Sequence, residues 1–285
     1  AAIDAIEEKK DRIGDVADQI WEFAELSLME EKSAKLYCKV LEEEGFQVEK
    51  GICGIKTAFS AAFGKGRPVI GLLAEYDALS GLSQKAGSLV REEVVCGGNG
   101  HGCGHNLLGA GAFAAALGVK SYLEMSGQPG TVVLYGCPGE EGGAAKAFMA
   151  RDGLWKSLDA ALTWHPEDVN EVRTGSTNSC IQVQYKFTGI ASHAAGAPEE
   201  GRSALDAVEL MNIGVQFLRE HMSDKARVHY AITDAGGRSA NVVQPKASVL
   251  YMVRSNHVAE AVELQKRVDR IAEGAALMTD TTYER

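Results

Sequence analysis

A chain of 285 residues, 45% hydrophobic and with a formal net charge of -10, has ample apolar material for a core and enough length to suggest two domains. The acidic balance disfavours a nucleic-acid partner, and no stretch approaches the ~20 apolar residues of a membrane-spanning helix, so neither nucleic acid nor membrane is expected. Six cysteines without a CxxC pair, and a charged amino-terminal stretch with no secretion signal, point to free thiols and a cytoplasmic protein.

Ile3, Ile6, Ile13, Val16, Ile20 and Phe23 recur at near-helical spacing, which predicts an opening amphipathic helix. A second helix is expected over 31–44, stopped by Gly45. Strands are expected at 57–63 and 69–74, and the unbroken VIGLLA of the latter fits a strand buried on both faces of a mainly parallel sheet. Residues 106–124 read as a helix rich in Ala, Gly and Leu that can pack closely on a sheet. A buried strand at 131–137, a short helix after Gly143 and a strand at 160–164 follow. This alternation predicts an α/β layered domain.

The style changes after about residue 178, where IQVQYKF (181–187) alternates apolar and polar as in a sheet with one wet face. A helix over 203–221, strands at 228–233 and 247–253, and a helix over 258–276 come next. The order β-α-β-β-α suggests a ferredoxin-like α+β module that lacks its last strand.

Four segments carry chemistry. In GHGCGHN, Cys103 and His105 stand two apart in a glycine turn, so a thiolate and an imidazole can reach one metal. PGEEGG follows a buried strand and puts Glu140 and Glu141 where α/β sheets place their sites. Adjacent side chains point different ways, which suits Glu141 as a metal ligand and Glu140 as a general base of raised pKa. TWHP places His165 at the next strand end. Three such segments on one rim supply S, N, O and N donors, enough for a two-metal site. In EYD, Asp77 reads either as a turn aspartate or as the acceptor that orients a ligating histidine.

Together AEYDALSGLSQ, GHGCGHNLLGAG, YGCPGEEGG, ALTWHP, GIASHAA and SANVVQPKASVLYMVR resemble the dinuclear metallopeptidase and amidohydrolase family of aminoacylases, glutamate carboxypeptidases and auxin-conjugate hydrolases. The resemblance spans the whole chain. It implies a metal-binding catalytic domain at 1–177 and an inserted lid and dimerisation domain at 178–285. Two divalent ions, zinc or manganese, would be held by Cys103, His105, Glu141 and His165, with Glu140 as base and Asp77 behind a ligand. His193 matches a histidine that reaches across a dimer to the scissile carbonyl. Asn241 and Arg254 match a pair that contacts the substrate's oxyanion and carboxylate, a task suited to a planar guanidinium.

The implied reaction is hydrolysis of the amide bond of a small N-acyl amino acid. Asn106, where auxin-conjugate hydrolases have aspartate, favours the aminobenzoyl-glutamate branch and so p-aminobenzoyl-glutamate as substrate. Another N-acyl amino acid or a dipeptide is the alternative. The implied assembly is a homodimer or a heteromer with a related A-type subunit. The family's last metal ligand is a histidine late in the catalytic domain, whereas the last histidine here is His257, at the start of a small-domain helix. The sequence therefore reads as truncated at its carboxyl end. Two rivals remain: a thiol hydrolase with Cys103 as nucleophile and His105 or His101 as base, and a non-catalytic partner subunit.

Overall fold

The computed structural model describes residues 2–172 and 174–285. The chain divides between Asn170 and Glu171 into two compact units. The first carries α1 (Ala2–Glu8), α2 (Lys10–Phe23), α3 (Glu31–Glu43), β1 (Gln47–Lys50), β2 (Phe59–Lys65), β3 (Val69–Ala74), α4 (His105–Ser126), β4 (Gly130–Gly136), α5 (Ala145–Arg151) and β5 (Ala160–Leu162). The expected opening helix is two helices. Lys9 leaves helical geometry at φ -109 and ψ 9, and the apolar stripe buries only from Val16 onward, while Ile3 stays exposed.

The sheet order is β1-β2-β4-β3-β5. Strands β3, β4 and β5 are mutually parallel, but β2 runs antiparallel to both β1 and β4. The sheet is thus mixed rather than mainly parallel. The reason lies in the connections: residues 51–58 and 66–68 are too short for the helical crossover that a parallel neighbour needs. What matters for the site is that β3, β4 and β5 all end on one edge, which carries Glu75 and Asp77, then Glu140 and Glu141, then His165.

Tyr76 anchors that edge. It is fully buried against Tyr37 and Phe59, with ring centroids 5.6 and 6.0 Å away, and its hydroxyl donates to the Thr57 carbonyl at 2.7 Å. With Tyr76 turned into the core, alternation sends Glu75 and Asp77 to the opposite side, toward the site.

Helix α4 crosses the sheet on a face of small residues. A Cβ on Gly109 would stand 2.3 Å from the Tyr37 hydroxyl and 2.7 Å from the Glu75 carbonyl oxygen. Gly109→Ala is therefore expected to destabilise the chain by about 1–3 kcal/mol through overpacking. A urea midpoint equal to that of the parent would show that α4 can move aside.

The second unit comprises β6 (Ser179–Thr188), α6 (Ala204–Arg219), β7 (Arg227–Asp234), β8 (Lys246–Ser255), α7 (Val258–Thr279) and β9 (Thr282–Glu284). Its sheet, ordered β7-β8-β6-β9, is antiparallel throughout. The inward residues of β6 and β8 (Tyr185, Phe187, Val249, Tyr251 and Val253) pack with Met211 and Val215 of α6 and Val268 of α7. The order β-α-β-β-α-β completes the ferredoxin-like module, so the expectation of a missing last strand is corrected. Three residues pairing with β6 are too few to leave a periodic trace in sequence. Strand β7 is an edge, with Tyr230 and Ile232 partly exposed. Among the described residues no helix is long and apolar enough to cross a membrane.

Candidate metal centre

The GHGCGHN turn reverses at Gly104, whose φ of 71 suits glycine, and α4 begins at His105. This turn brings the donor atoms of Cys103, His105 and His165 within 4.8 Å of one another. Glu75, His105 and Glu140 form a second group by the same measure, so His105 belongs to both. The rings of His105 and His165 meet edge to face, their centroids 5.6 Å apart.

Asp77 ties the parts together. Its Oδ1 accepts from Nδ1 of His105 at 3.0 Å, while Oδ2 accepts from the Ser27 hydroxyl at 2.8 Å and from the Glu141 N–H at 2.9 Å. Burial pushes Asp77 up, but the hydrogen bonds from His105, Glu141 and Ser27 outweigh it and hold the carboxyl below its usual range.

With Nδ1 of His105 donating to Asp77, Nε2 is left as the acceptor. It faces Glu75 Oε2 at 3.2 Å, and neither atom has a hydrogen-bond partner; Glu141 Oε1 is likewise buried and unpartnered. Two lone pairs that close in a buried place call for a proton or a cation between them. Burial opposes the imidazolium, yet Asp77, followed by Glu75 and Glu141, raises His105 overall. The Cys103 thiol is pushed up to about 12, first by its hydrogen bond with Glu141 and then by burial. Such a thiol is a poor nucleophile on its own, which disfavours the thiol-hydrolase reading. One sulfur, two imidazoles and several carboxylates with orphaned oxygens fit a borderline divalent cation.

Glu140 is exposed at the rim, yet lost hydration around its carboxyl, and then the charge of Glu75, raise its pKa. Glu141 differs: its carboxyl sits against Cys103 and its backbone is fixed by Asp77. His101 stays out of the cluster, donating from Nε2 to the Ile20 carbonyl at 2.9 Å.

Three side chains at this edge went unassigned in the sequence. Two of them, Glu75 and Lys146 of α5, form a short ion pair. The signal for Glu75 was available, since it stands two residues from Asp77 on the same side of the strand. Glu30 is the third. It is fully buried, and one oxygen accepts from both Leu28 and Gly139 N–H at 2.8 Å, the other from Thr57 at 3.1 Å. Glu30 thereby pins the loop that carries Glu140 and Glu141.

In the second unit, His193 is exposed and bridges to Val242, and its Nδ1 accepts from the Gly196 N–H at 3.0 Å. The Asn241 carbonyl accepts from Ala194 at 3.0 Å, so His193 and Asn241 are neighbours. Arg254 is near the far end of the ten-residue strand β8, about 26 Å along it from Lys246 at about 3.3 Å per residue, whereas Asn241 precedes the strand's first residue. The Arg254 Nε is buried without a partner.

The chain is 55% identical over 281 residues to the B-type component of p-aminobenzoyl-glutamate hydrolase from Escherichia coli, covering 99% of this chain and 58% of that protein. It is 30% identical over 295 residues to the Xaa-Arg dipeptidase of Mus musculus, covering 99% of this chain and 64% of that one. The chain thus spans about three-fifths of these relatives' length. Its fold matches the crystal structure of the aminobenzoyl-glutamate utilization protein from Klebsiella pneumoniae with a TM-score of 0.69 at 19% identity, over 100% of this chain and 77% of that one. Residues 71–283 match Peptidase family M20/M25/M40, which takes in most of β3, the metal-site turn, the PGEEGG loop and nearly all of the second unit. The chain belongs to this peptidase family.

Proposed function

We propose that this chain carries the reactive half of a metal-dependent amidohydrolase that cleaves an N-acyl amino acid, with p-aminobenzoyl-glutamate as first substrate. The observation that carries this reading is the rim where three parallel strands end in Glu75 and Asp77, Glu140 and Glu141, and His165, facing Cys103 and His105. The name of the 55% identical relative supports the substrate.

Cys103, His105, Glu141 and His165 would hold two divalent ions, zinc or manganese, which when bound supply Lewis acidity toward a carbonyl and acidify water. Glu140 takes the proton of the attacking water and returns it to the leaving amine, a role its raised pKa and rim position suit. His193 donates to the oxyanion, Asn241 assists it, and Arg254 grips the substrate carboxylate with two parallel hydrogen bonds.

Asn241 precedes β8 while Arg254 lies about 26 Å along it from Lys246, a reach that a small substrate does not cover. That separation supports an assembly in which a partner supplies His193 and Asn241. The half-exposed edge of β7 suits such pairing. The partner is a second copy or a related A-type subunit, the counterpart that the name of the B-type relative implies.

The test is a panel of p-aminobenzoyl-glutamate, benzoyl-glycine and an Xaa-Arg dipeptide, with metal-loaded protein. We expect kcat/KM for the first to exceed the others by at least about tenfold, a margin that one well-made polar contact supports. A preference for the dipeptide, or no hydrolysis of any of the three, would overturn the reading.

A further inference from the structure

A cavity of about 630 Å³ opens beside the metal cluster, inside the first unit, with Cys103 and His165 on one wall. Its volume is in the range of ligand pockets. Helix α2 lends Asp18 and Trp21 to the lining, and Leu107 of α4 adds an apolar side chain.

Trp21 offers one donor, its indole N–H, and three other polar groups here are acceptors. His101 is 5% exposed and stacks on Trp21, the ring centroids 6.3 Å apart. Its Nε2 is committed to Ile20, so Nδ1 of the neutral ring offers a lone pair, and that atom is buried without a partner. Asn106, also 5% exposed, gives its amide N–H to the Ala17 carbonyl at 3.4 Å and leaves Oδ1 buried and unpartnered. Asp18 adds an exposed carboxylate. Among the described residues lining the cavity there is no lysine or arginine.

A substrate whose amide lies at the cluster must send either its carboxylate end or its acyl end into this space. Away from the metal-binding side chains, the carboxylate end has no lysine or arginine to meet there and would face Asp18, so the acyl end fits this space better. Building on the function proposed above, we infer that this cavity is the acyl pocket. It takes a flat aromatic acyl group against Trp21 and selects for a ring substituent that donates hydrogen bonds, an amine, to Asp18. An anionic ring substituent is rejected.

Direct binding to the full chain tests this without turnover, using p-aminobenzamide, benzamide and p-carboxybenzamide in calorimetric titrations. The amino compound is expected to bind about tenfold more tightly than the carboxy compound, as a hydrogen bond to a charged acceptor allows. Asp18→Asn, an exposed change, should remove most of that preference and leave benzamide unaffected. Trp21→Ala should weaken all three by about tenfold and Trp21→Phe restore most of the loss, since an aromatic face is what the ring requires. Equal affinity for the amino and carboxy compounds, or an unchanged preference in Asp18→Asn, overturns the pocket.

The two proposals fail separately. If p-aminobenzoyl-glutamate is not hydrolysed while this binding pattern holds, the amidohydrolase reading falls and the pocket stands. If hydrolysis proceeds unaltered in both Asp18→Asn and Trp21→Ala, the pocket falls and the amidohydrolase stands.

Discussion

Glu140→Gln is expected to keep its metal ions and to lose about 10²–10⁴-fold in kcat, the usual contribution of a positioned general base. The amide matches the carboxylate in shape, and Glu140 is exposed at the rim, so the exchange leaves packing intact. What it removes is an exposed rim carboxylate able to accept and return a proton, whose affinity for that proton is raised by lost hydration and by Glu75. The neighbouring exchange gives the contrast. Glu141 has a buried, unpartnered oxygen and a carboxyl against Cys103, so Glu141→Gln should weaken metal retention first and turnover as a consequence. Metal content after dialysis, measured beside kcat for both variants, separates the two roles. Full turnover in Glu140→Gln, or metal loss equal to that of Glu141→Gln, would end the assignment of base and ligand.

The candidate metal edge was legible in the sequence because each of its parts is local. VIGLLA, TVVLYGC and AALTW read as strands, and a polar residue just beyond a buried strand falls at the sheet's rim. What failed were features that depend on distant partners. Glu30 holds Gly139 across 109 positions, and nothing in LMEE announces a buried carboxylate. The mixed sheet follows from connections too short for a crossover, a matter of chain geometry rather than composition. Asn241 and Arg254 stand as a pair through resemblance, and it is the extent of β8 that shows Arg254 lying near the end remote from the residues preceding the strand. Glu75 is an intermediate case. Alternation puts it beside Asp77, but its importance rests on His105 arriving from another element.

Asp77→Asn is expected to cost about 10–100-fold in metal affinity, as changes behind a ligating histidine do. The reasoning is one of donors and acceptors. All three groups that meet the Asp77 carboxylate are donors: Nδ1–H of His105 at 3.0 Å, the Ser27 hydroxyl at 2.8 Å and the Glu141 N–H at 2.9 Å. An asparagine has one oxygen for these and turns an NH₂ toward the remainder. If the oxygen keeps His105, the amide confronts the Glu141 N–H, a donor that cannot rotate away. If it keeps Glu141, His105 loses its side-chain acceptor and keeps only the Asp77 backbone carbonyl, at 3.1 Å, to hold the tautomer that leaves Nε2 free for metal. Either arrangement loosens a predicted ligand, so the amide should do no better than Asp77→Ala despite its similar shape. Ser27→Ala removes a single hydroxyl bond and should cost far less. Competition against a chromophoric chelator reads the affinity without reference to turnover. If Asp77→Asn holds metal as tightly as the parent, His105 and Glu141 are placed by something other than Asp77, and the geometry argued for the whole centre must be rebuilt.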